Sequence, residues 1–400
     1  VASYQVEPEY GGEDGLEIFR RKLNAAGLKL VLDFVPNHTG IDHSWLKERP
    51  ELFVRSNEER EGTFAVESGG NLDFIAHGRD PYFLPWIDTA QLDYRKQTTH
   101  NAMSDALMSV AERCDGVRCD MAMLVLREVF QRTWEKFPTD AAAQDEFWPG
   151  AIRRVKERFP GFMFLAEAYW SLEPKLIEMG FDYAYDKVLY DLLVRGDPRE
   201  ICTHIYSQPA RQLEHSAHFI ENHDEQRAAA VLTLDRHRAA AMLVLALPGM
   251  CLLHEGQLVG AKERVPVQAT TRPVEPPNPE VQAVYDELLE AIGRSDIGKG
   301  NWKLVTFEPG NSRVVGIHWT ETSAVGALLS PGTLAVVNLA QAVVGVSLPQ
   351  VISGAGWSLL GQVEGASLSM SATGPAKLSL PPRGWALLQT AQAQVRSAGL

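Results

Sequence analysis

Asp115-Gly116-Val117-Arg118-Cys119-Asp120-Met121, read DGVRCDM over residues 115–121, is the stretch that decides the fold. It opens on Asp-Gly, a turn signal, and runs on in short apolar and β-compatible residues. Read as a strand, its side chains alternate, so Arg118 and Asp120 face one way and Val117, Cys119 and Met121 the other. A buried arginine and a buried aspartate on one face are expensive unless they are paired or used. Two readings stand at this point: an ion pair that fixes register, or the working groups of a site.

The surroundings repeat the pattern. Leu28 to Val35 is a nearly continuous apolar run ending at Pro36-Asn37-His38, as a strand covered on both faces should be. Phe162 to Ala166 is another and delivers Glu167; Phe181 to Ala184 is a short one. Ser216 to Ile220 ends at Glu221-Asn222-His223-Asp224, and Met250 to Leu253 at His254-Glu255-Gly256-Gln257. Helical spacing predicts helices between them: Glu13 to Ala26 with Gly27 as its stop, Asn101 to Cys114, Ala122 to Trp134, Phe147 to Phe159, Glu173 to Met179, Lys187 to Val194, Arg236 to Leu247, and Pro279 to Ile292 capped by Asn278. Strands alternating with helices predict a parallel α/β sheet. The polar residues of interest fall just after the strand C-termini, where such folds place their sites.

Two regions depart from the alternation. Ile41 to about Gln97 is a long excursion rich in aromatics, Pro and Gly, read as a small folded insertion. From Asn301 onward short β-rich runs recur (Trp302–Phe307, Val314–Trp319, Thr333–Asn338, Val343–Leu348, Trp357–Leu360, Lys377–Leu380 and Trp385–Leu388), which reads as a small antiparallel β-sandwich. Thr390 to Leu400 reads as a frayed tail.

Of the 400 residues 45% are hydrophobic and 22% charged, enough for one large core and a smaller domain. With 38 Lys and Arg against 51 Asp and Glu, the formal charge of -13 argues against nucleic acid or an anionic membrane surface as a partner and suits a neutral substrate. Cys114, Cys119, Cys202 and Cys251 form no CxxC pair, and no histidines stand at zinc spacing. They read as buried small hydrophobes in a reducing, cytoplasmic compartment. The longest apolar run, Ala239 to Leu247, is too short to span a bilayer, and no signal-peptide pattern is visible.

Strand ends carry Asp33 with Asn37 and His38, Arg118 with Asp120, Glu167, and His223 with Asp224. Three carboxylates converging on one mouth repel, so that one stays protonated near neutrality. That is the requirement of glycosidic bond cleavage: one carboxylate as nucleophile and one carboxylic acid to protonate the leaving oxygen. A metal-dependent hydrolase with Asp33, His38, His223 and Asp224 as ligands remains open, although the sequence has no HxH pair and no lysine at a bridging position.

The order LDFVPNH (32–38), DGVRCDMA (115–122), LAEAYW (165–170) and FIENHD (219–224) resembles the four conserved segments of the α-amylase family of glycoside hydrolases, family 13. Gly249 to Gln257 resembles that family's last barrel strand, and Ala90-Gln91-Leu92-Asp93-Tyr94 the motif that ends its inserted domain. The resemblance implies a (β/α)8 TIM-type barrel over residues 1–297, with an inserted domain at 39–96, a C-terminal antiparallel β-sandwich at 298–390 and a tail at 391–400. It implies Asp120 as nucleophile, Glu167 as general acid/base and Asp224 as the acid that grips sugar hydroxyls and distorts the ring. Arg118 is expected to hold Asp120 ionised; His223 and His38 to hydrogen-bond sugar hydroxyls; Asp33 to partner Arg118; Trp170 to stack on a sugar. Asn37 is counted with the substrate-binding residues and is a calcium ligand in some relatives; no dense cluster of oxygen ligands surrounds it, so no cofactor is required, and calcium there stays open as the alternative. The implied substrate is an α-linked glucoside, small or oligosaccharide, cleaved with retention through a covalent glycosyl-enzyme. Transfer to a sugar or to phosphate, and a non-catalytic relative, are the alternatives. Nothing in the sequence fixes an oligomeric state.

A (β/α)8 barrel has eight strands, and the sequence shows six. Tyr4 to Gly12 resembles the loop after the family's second strand, so strands one and two, with the aromatic platform beneath the cleaved sugar, belong before Val1. Either the chain is a piece of a longer protein or the barrel is reduced. The first is favoured, because an open barrel leaves two unpaired edges. On that reading the 400-residue chain expressed alone is poorly soluble or inactive on α-glucosides.

Overall fold

A computed structural model describes residues 1–68, 71–139, 145–267, 269–307, 312–321, 330–351, 356–371 and 374–390. The tail expected at 391–400 lies outside the described residues. The chain divides into two compact units, Val1–Tyr185 and Asp186–Leu400.

In the first unit the strands Val31–Phe34, Gly116–Cys119, Met163–Ala166 and Tyr183–Tyr185 pair in parallel, in that order. The register sets Asp33 beside Arg118 beside Leu165, and Phe34 beside Cys119 beside Ala166. Gly116 allows the close approach at the start of its strand, since a Cβ there would lie 2.8 Å from the Met163 carbonyl oxygen. The strands are shorter than their apolar runs. Leu28 and Lys29 precede the ladder and Val35 follows it, with its N–H and C=O taken by the Tyr4 hydroxyl at 3.0 and 3.1 Å.

The helices Gln97–Ala111 and Phe147–Arg158 bury Met103, Leu107 and Val110, and Trp148, Ile152 and Val155. The helix expected over Ala122 to Trp134 is two pieces. Met121 turns left-handed (φ 43°), Ala122–Val125 forms a 3-10 turn, and the α-helix begins at Arg127 after an extended Leu126. The first helix, Gly12–Ala25, ends as expected at Gly27, which is left-handed at φ 75°. There the Leu28 N–H reaches the Leu23 carbonyl and the Gly27 N–H that of Asn24, a Schellman closure. None of its residues is buried, and Phe19, expected on its inward stripe, is exposed together with Ile18, Leu28 and Val31. Among the described residues no strand pairs with the outer edge of Val31–Phe34.

The excursion is folded. His38–Gly40 pairs with Thr89–Gln91, and Arg55–Ser56, Asn71–Ala76 and Thr63–Ser68 form an antiparallel sheet. Leu52, Phe53, Ile75 and Leu92 are fully buried beneath it.

In the second unit Ser216–His218 and Met250–Cys251 pair in parallel. The helices Lys187–Arg195, Leu234–Ala246 and Pro279–Gly293 lie close to the expected spans, the last capped by the Asn278 side chain. Three helices escaped the sequence reading, Pro198–Ser207, Ala210–Glu214 and the single turn Ala228–Val231. The first begins where Asp197 caps the Arg199 N–H and Pro198 takes the opening position, a start signal present in the sequence. The β-rich region forms a five-stranded antiparallel sheet (Asn301–Val305, Val314–Thr320, Thr333–Asn338, Trp385–Thr390, Trp357–Gln362) and a three-stranded one (Val344–Ser347, Lys377–Leu380, Ser367–Ser369).

Asp115 ties the first helix to the strand it opens. Its carboxylate accepts from Arg20 at 2.8 Å and from the Leu30 N–H at 2.9 Å. Burial pushes the carboxyl up, but these donors and the Arg20 charge outweigh it and hold it below the ordinary carboxylate range. A depressed folded-state pKa contributes stability above the unfolded value and loses it as pH falls through the folded one. Asp115→Asn is therefore expected to lower stability by about 1–2 kcal/mol at neutral pH. In denaturant titrations across pH, that difference should close as pH falls below the ordinary carboxylate range.

Candidate active site

Arg118 is the centre of the first unit's polar cluster. Its Nη1 donates to Asp120 Oδ1 at 2.9 Å and to Asp33 Oδ1 at 3.2 Å, and its Nη2 to Glu167 Oε2 at 2.7 Å. The sheet dictates this meeting. Asp33 and Arg118 are register partners in a parallel ladder and so share a face. Asp120 and Glu167 stand one residue past their strands, where the Asp120 N–H still reaches the Phe34 carbonyl and the Glu167 N–H that of Cys119, at 2.9 and 3.0 Å.

The three acids are graded by burial: 4% of the Glu167 side chain is exposed, 24% of Asp120 and 64% of Asp33. Burial raises the Glu167 pKa and the Asp120 charge adds to it; Arg118, the Tyr169 hydroxyl and the Met121 N–H pull the other way, and the net shift is upward. Burial works against the Arg118 cation too, but the acidic groups around it, Glu167 foremost, drive its pKa well above the ordinary value. Glu167 is fully engaged. Oε2 also accepts from the Met121 N–H at 2.8 Å, and Oε1 accepts from the Tyr169 hydroxyl at 2.7 Å. The Tyr185 ring lies 5.9 Å from the Arg118 guanidinium carbon, and burial raises its phenol.

The remaining candidates sit as follows. His38 packs on Trp86 with ring centroids 5.3 Å apart, and burial foremost lowers its pKa from the ordinary value. The Asn37 carboxamide pairs with that of Gln91: Gln91 Nε2 donates to Asn37 Oδ1 at 3.0 Å, and Asn37 Nδ2 to Gln91 Oε1 at 3.3 Å. Trp170 is left-handed (φ 63°), and its ring meets Tyr82 edge-on at 4.9 Å. Cys119 is buried behind its strand, and burial raises its thiol pKa far above the ordinary value. In the second unit His223 and Asp224 contact each other at 3.1 Å, both part-exposed. Their loop is shaped by Asn222 Oδ1, which accepts from the Asp224 and Glu225 N–H groups. Buried Glu221 holds it through Arg227 at 3.2 Å and the Ala228 N–H at 2.6 Å. Among the described residues no three His, Cys, Asp or Glu side chains are grouped to hold a metal ion.

The family model for the alpha amylase catalytic domain matches residues 2–284. The chain belongs to the alpha-amylase family. Its fold is accordingly of that family's type, a (β/α)8 barrel followed by a C-terminal β domain; of the eight barrel strands, six are seen among the described residues, four in the first unit and two in the second. Among curated relatives, the alpha-amylase MalA of Haloarcula japonica is 24% identical over 65% of this chain and 36% of its own length. The trehalose-6-phosphate hydrolase of Escherichia coli is 23% identical over 65% of this chain and 55% of its own. The chain thus spans about a third to a half of the length of such relatives. Among solved structures, the alpha-amylase from H. orenii superposes with a TM-score of 0.69 at 18% identity, covering 97% of this chain and 86% of its own. That of Geobacillus thermoleovorans, solved with acarbose, gives 0.67 at 16% identity, covering 98% and 83%.

Within this cluster of the alpha-amylase family chain, Tyr169, Tyr185 and Met121 escaped the sequence reading. Tyr169 and Met121 each stand within two residues of a named acid, and Tyr185 ends a strand, so position offered a signal; their contacts depend on turns that no periodicity encodes. The cluster itself makes a stability prediction. Arg118→Leu strands a nearly buried carboxylate and is expected to cost about 3–5 kcal/mol at neutral pH. Because protonating Glu167 relieves that strain, the loss seen in denaturant titrations should narrow as pH falls toward 4.

Proposed function

We propose that this chain carries the reacting groups of a retaining glycosidase that cleaves α-glucosidic bonds in α-glucans or α-glucosides. One observation carries the reading: a single buried guanidinium holds two carboxylates of unequal burial, Asp120 at 2.9 Å and Glu167 at 2.7 Å. Double displacement asks for that inequality. The group that burial pushes up keeps its proton for the leaving oxygen, and the group nearer solvent stays ionised for attack.

In the first step a lone pair of Asp120 forms a bond to the anomeric carbon as the bond from that carbon to the leaving oxygen breaks, and that oxygen takes the Glu167 proton. In the second, water gives a proton to Glu167 and its oxygen displaces the Asp120 carboxylate, which regenerates both groups. Arg118 holds Asp120 by Oδ1 and so orients it. Asp33 extends the charge network at its exposed rim. We assign Asp224, His223 and His38 to sugar hydroxyls and Trp170 to a sugar face. The names of the relatives, alpha-amylase, maltase and trehalose-6-phosphate hydrolase, support an α-glucoside as substrate. Four free cysteines, three of them buried, support a reducing compartment, the cytoplasm. We further propose that no calcium is needed at Asn37, whose carboxamide is closed on Gln91; chelation should leave the thermal midpoint unchanged.

The acid/base assignment is tested with two leaving groups. In the complete enzyme, Glu167→Gln should lower kcat on a maltoside by about 10²–10⁴-fold. It should lower it far less on an α-glucosyl fluoride, whose leaving group needs no proton. Asp120→Asn should abolish the covalent glycosyl adduct seen by mass spectrometry after a rapid quench. Equal losses on both substrates, or an adduct surviving in Asp120→Asn, would overturn the assignment. Running the assay in water alone, with added maltose and with phosphate separates hydrolysis from transfer and phosphorolysis.

A further inference from the structure

We propose that Tyr169 is the positioning residue that confines the exchangeable proton of Glu167 to Oε1 and sets the pH at which it is held; this rests on Glu167 being the acid/base. The two carboxyl oxygens are not equivalent. Oε2 accepts from Arg118 Nη2 at 2.7 Å and from the Met121 N–H at 2.8 Å. Neither is an acceptor, so a proton on Oε2 would face two donors. Oε1 meets the Tyr169 hydroxyl at 2.7 Å, and a hydroxyl can donate or accept. When Glu167 is ionised, Tyr169 donates to Oε1. When a proton arrives, it lands on Oε1 and the phenol O–H rotates, so that its oxygen accepts or releases it toward the substrate. No heavy atom needs to move.

The groups facing Glu167 within its unit come from four places. Arg118 rises from the Gly116–Cys119 strand, and Asp120 and Met121 follow it; Asp33 lies on Val31–Phe34, Tyr185 on Tyr183–Tyr185, and Tyr169 on the acid's own loop. Burial and the negative charge of Asp120 favour the protonated form, whereas Arg118, Met121 and Tyr169 favour the ionised one. Of the last three, Tyr169 alone can reverse its hydrogen bond. Arg118 and the backbone amide are fixed donors, so Tyr169 is the adjustable member of the set.

The backbone supports the assignment. Directly after Tyr169, Trp170 and Ser171 are both left-handed, at φ 63° and 59°. Two consecutive non-glycine residues in that region persist only where the surroundings over-determine them. The turn is closed by the Leu172 N–H on the Tyr169 carbonyl at 3.2 Å, and it sends the Tyr169 hydroxyl back to Glu167 while the Trp170 ring meets Tyr82.

Tyr169→Phe removes only the hydroxyl, and the test reads the Glu167 carboxyl directly. Infrared difference titration against Glu167→Gln isolates that group without any substrate. Losing a donor to the charged form should raise its midpoint by about one pH unit. The alkaline limb of kcat/KM on a maltoside should move up by the same amount, since that limb reports the acid of the free enzyme. An unmoved infrared midpoint overturns the proposal, and so does an alkaline limb that stays put while the midpoint moves. If the phenylalanine variant fails to fold, 3-fluorotyrosine at 169, a stronger donor, should shift both readings downward; no shift overturns the proposal. Absence of α-glucoside turnover in the unsubstituted complete enzyme would instead overturn the acid/base reading, while the infrared midpoint still reports whether Tyr169 governs Glu167.

Discussion

The contact of Arg118 with its acids is the constraint on which the first unit's site depends. A guanidinium offers five N–H groups in a rigid plane, cannot give up its proton and is expensive to bury alone. At 11% side-chain exposure it needs anionic partners in its own plane, and a parallel ladder supplies them from both sides. Asp33 comes from the strand before it in the sheet and Glu167 from the end of the strand after it, with Asp120 two residues along its own chain. A one-residue slip of either neighbour would turn its acid to the opposite face. The ion pairs therefore specify register as well as charge.

What separates the acids is depth. Screening by solvent falls from Asp33 through Asp120 to Glu167, so the same cation acts on each against a different background. For Glu167 burial outweighs the Arg118 charge and the hydrogen bonds of Tyr169 and Met121. A second arginine would work against that lift, and an apolar residue at 118 would remove the one cation that both carboxylates share. One cation shared among several acids keeps both geometry and asymmetry. The backbone carries a matching signature: of the four non-glycine residues with positive φ among the described ones, Met121, Trp170 and Ser171 lie within four residues of Asp120 or Glu167. Strain gathers at the turns that leave these two strands.

The parts of this arrangement that were legible in the sequence are those that repeat. Apolar runs that end at Pro36-Asn37-His38, Asp120, Glu167 and Glu221 mark strands because a strand covered on both faces must be continuously apolar, and the polar residues then mark its end. Asn278-Pro279 and Gly27 mark helix ends because capping is local chemistry. Asp197-Pro198 is the same kind of signal, overlooked because the helix after it is short and partly polar. The break at Leu126 and the reversed turn at Trp170 were not legible, since neither falls on a glycine, a proline or a break in the apolar spacing. Burial of the first helix was misjudged too: its spacing is amphipathic, but spacing does not say what the face is packed against. Tyr169 and Tyr185 were hidden differently. A tyrosine near a strand end reads as core, and only the direction of its hydroxyl makes it part of a site.

The excursion at 39–96 shows how aromatic content divides once folded. Phe53 disappears into the insertion's own core, and Trp86 packs on His38. Tyr82, Phe83 and Leu84 stay exposed, on a turn that Asp80 holds by accepting from the Tyr82 and Phe83 N–H groups at 2.6 and 2.9 Å. Tyr82 is then gripped from two sides, by the Arg132 guanidinium over its ring and by the edge of Trp170. Because Trp170 directly follows Tyr169 in a turn with little backbone freedom, the insertion's exposed aromatic turn is braced against the loop that supplies the Glu167 hydrogen bond. The aromatic surface and the carboxyl proton are thereby held by adjacent residues of one short segment. A chain that places its acid on a strand end and its partner hydroxyl on a strained turn needs such a brace, since the strand alone fixes only the carboxylate.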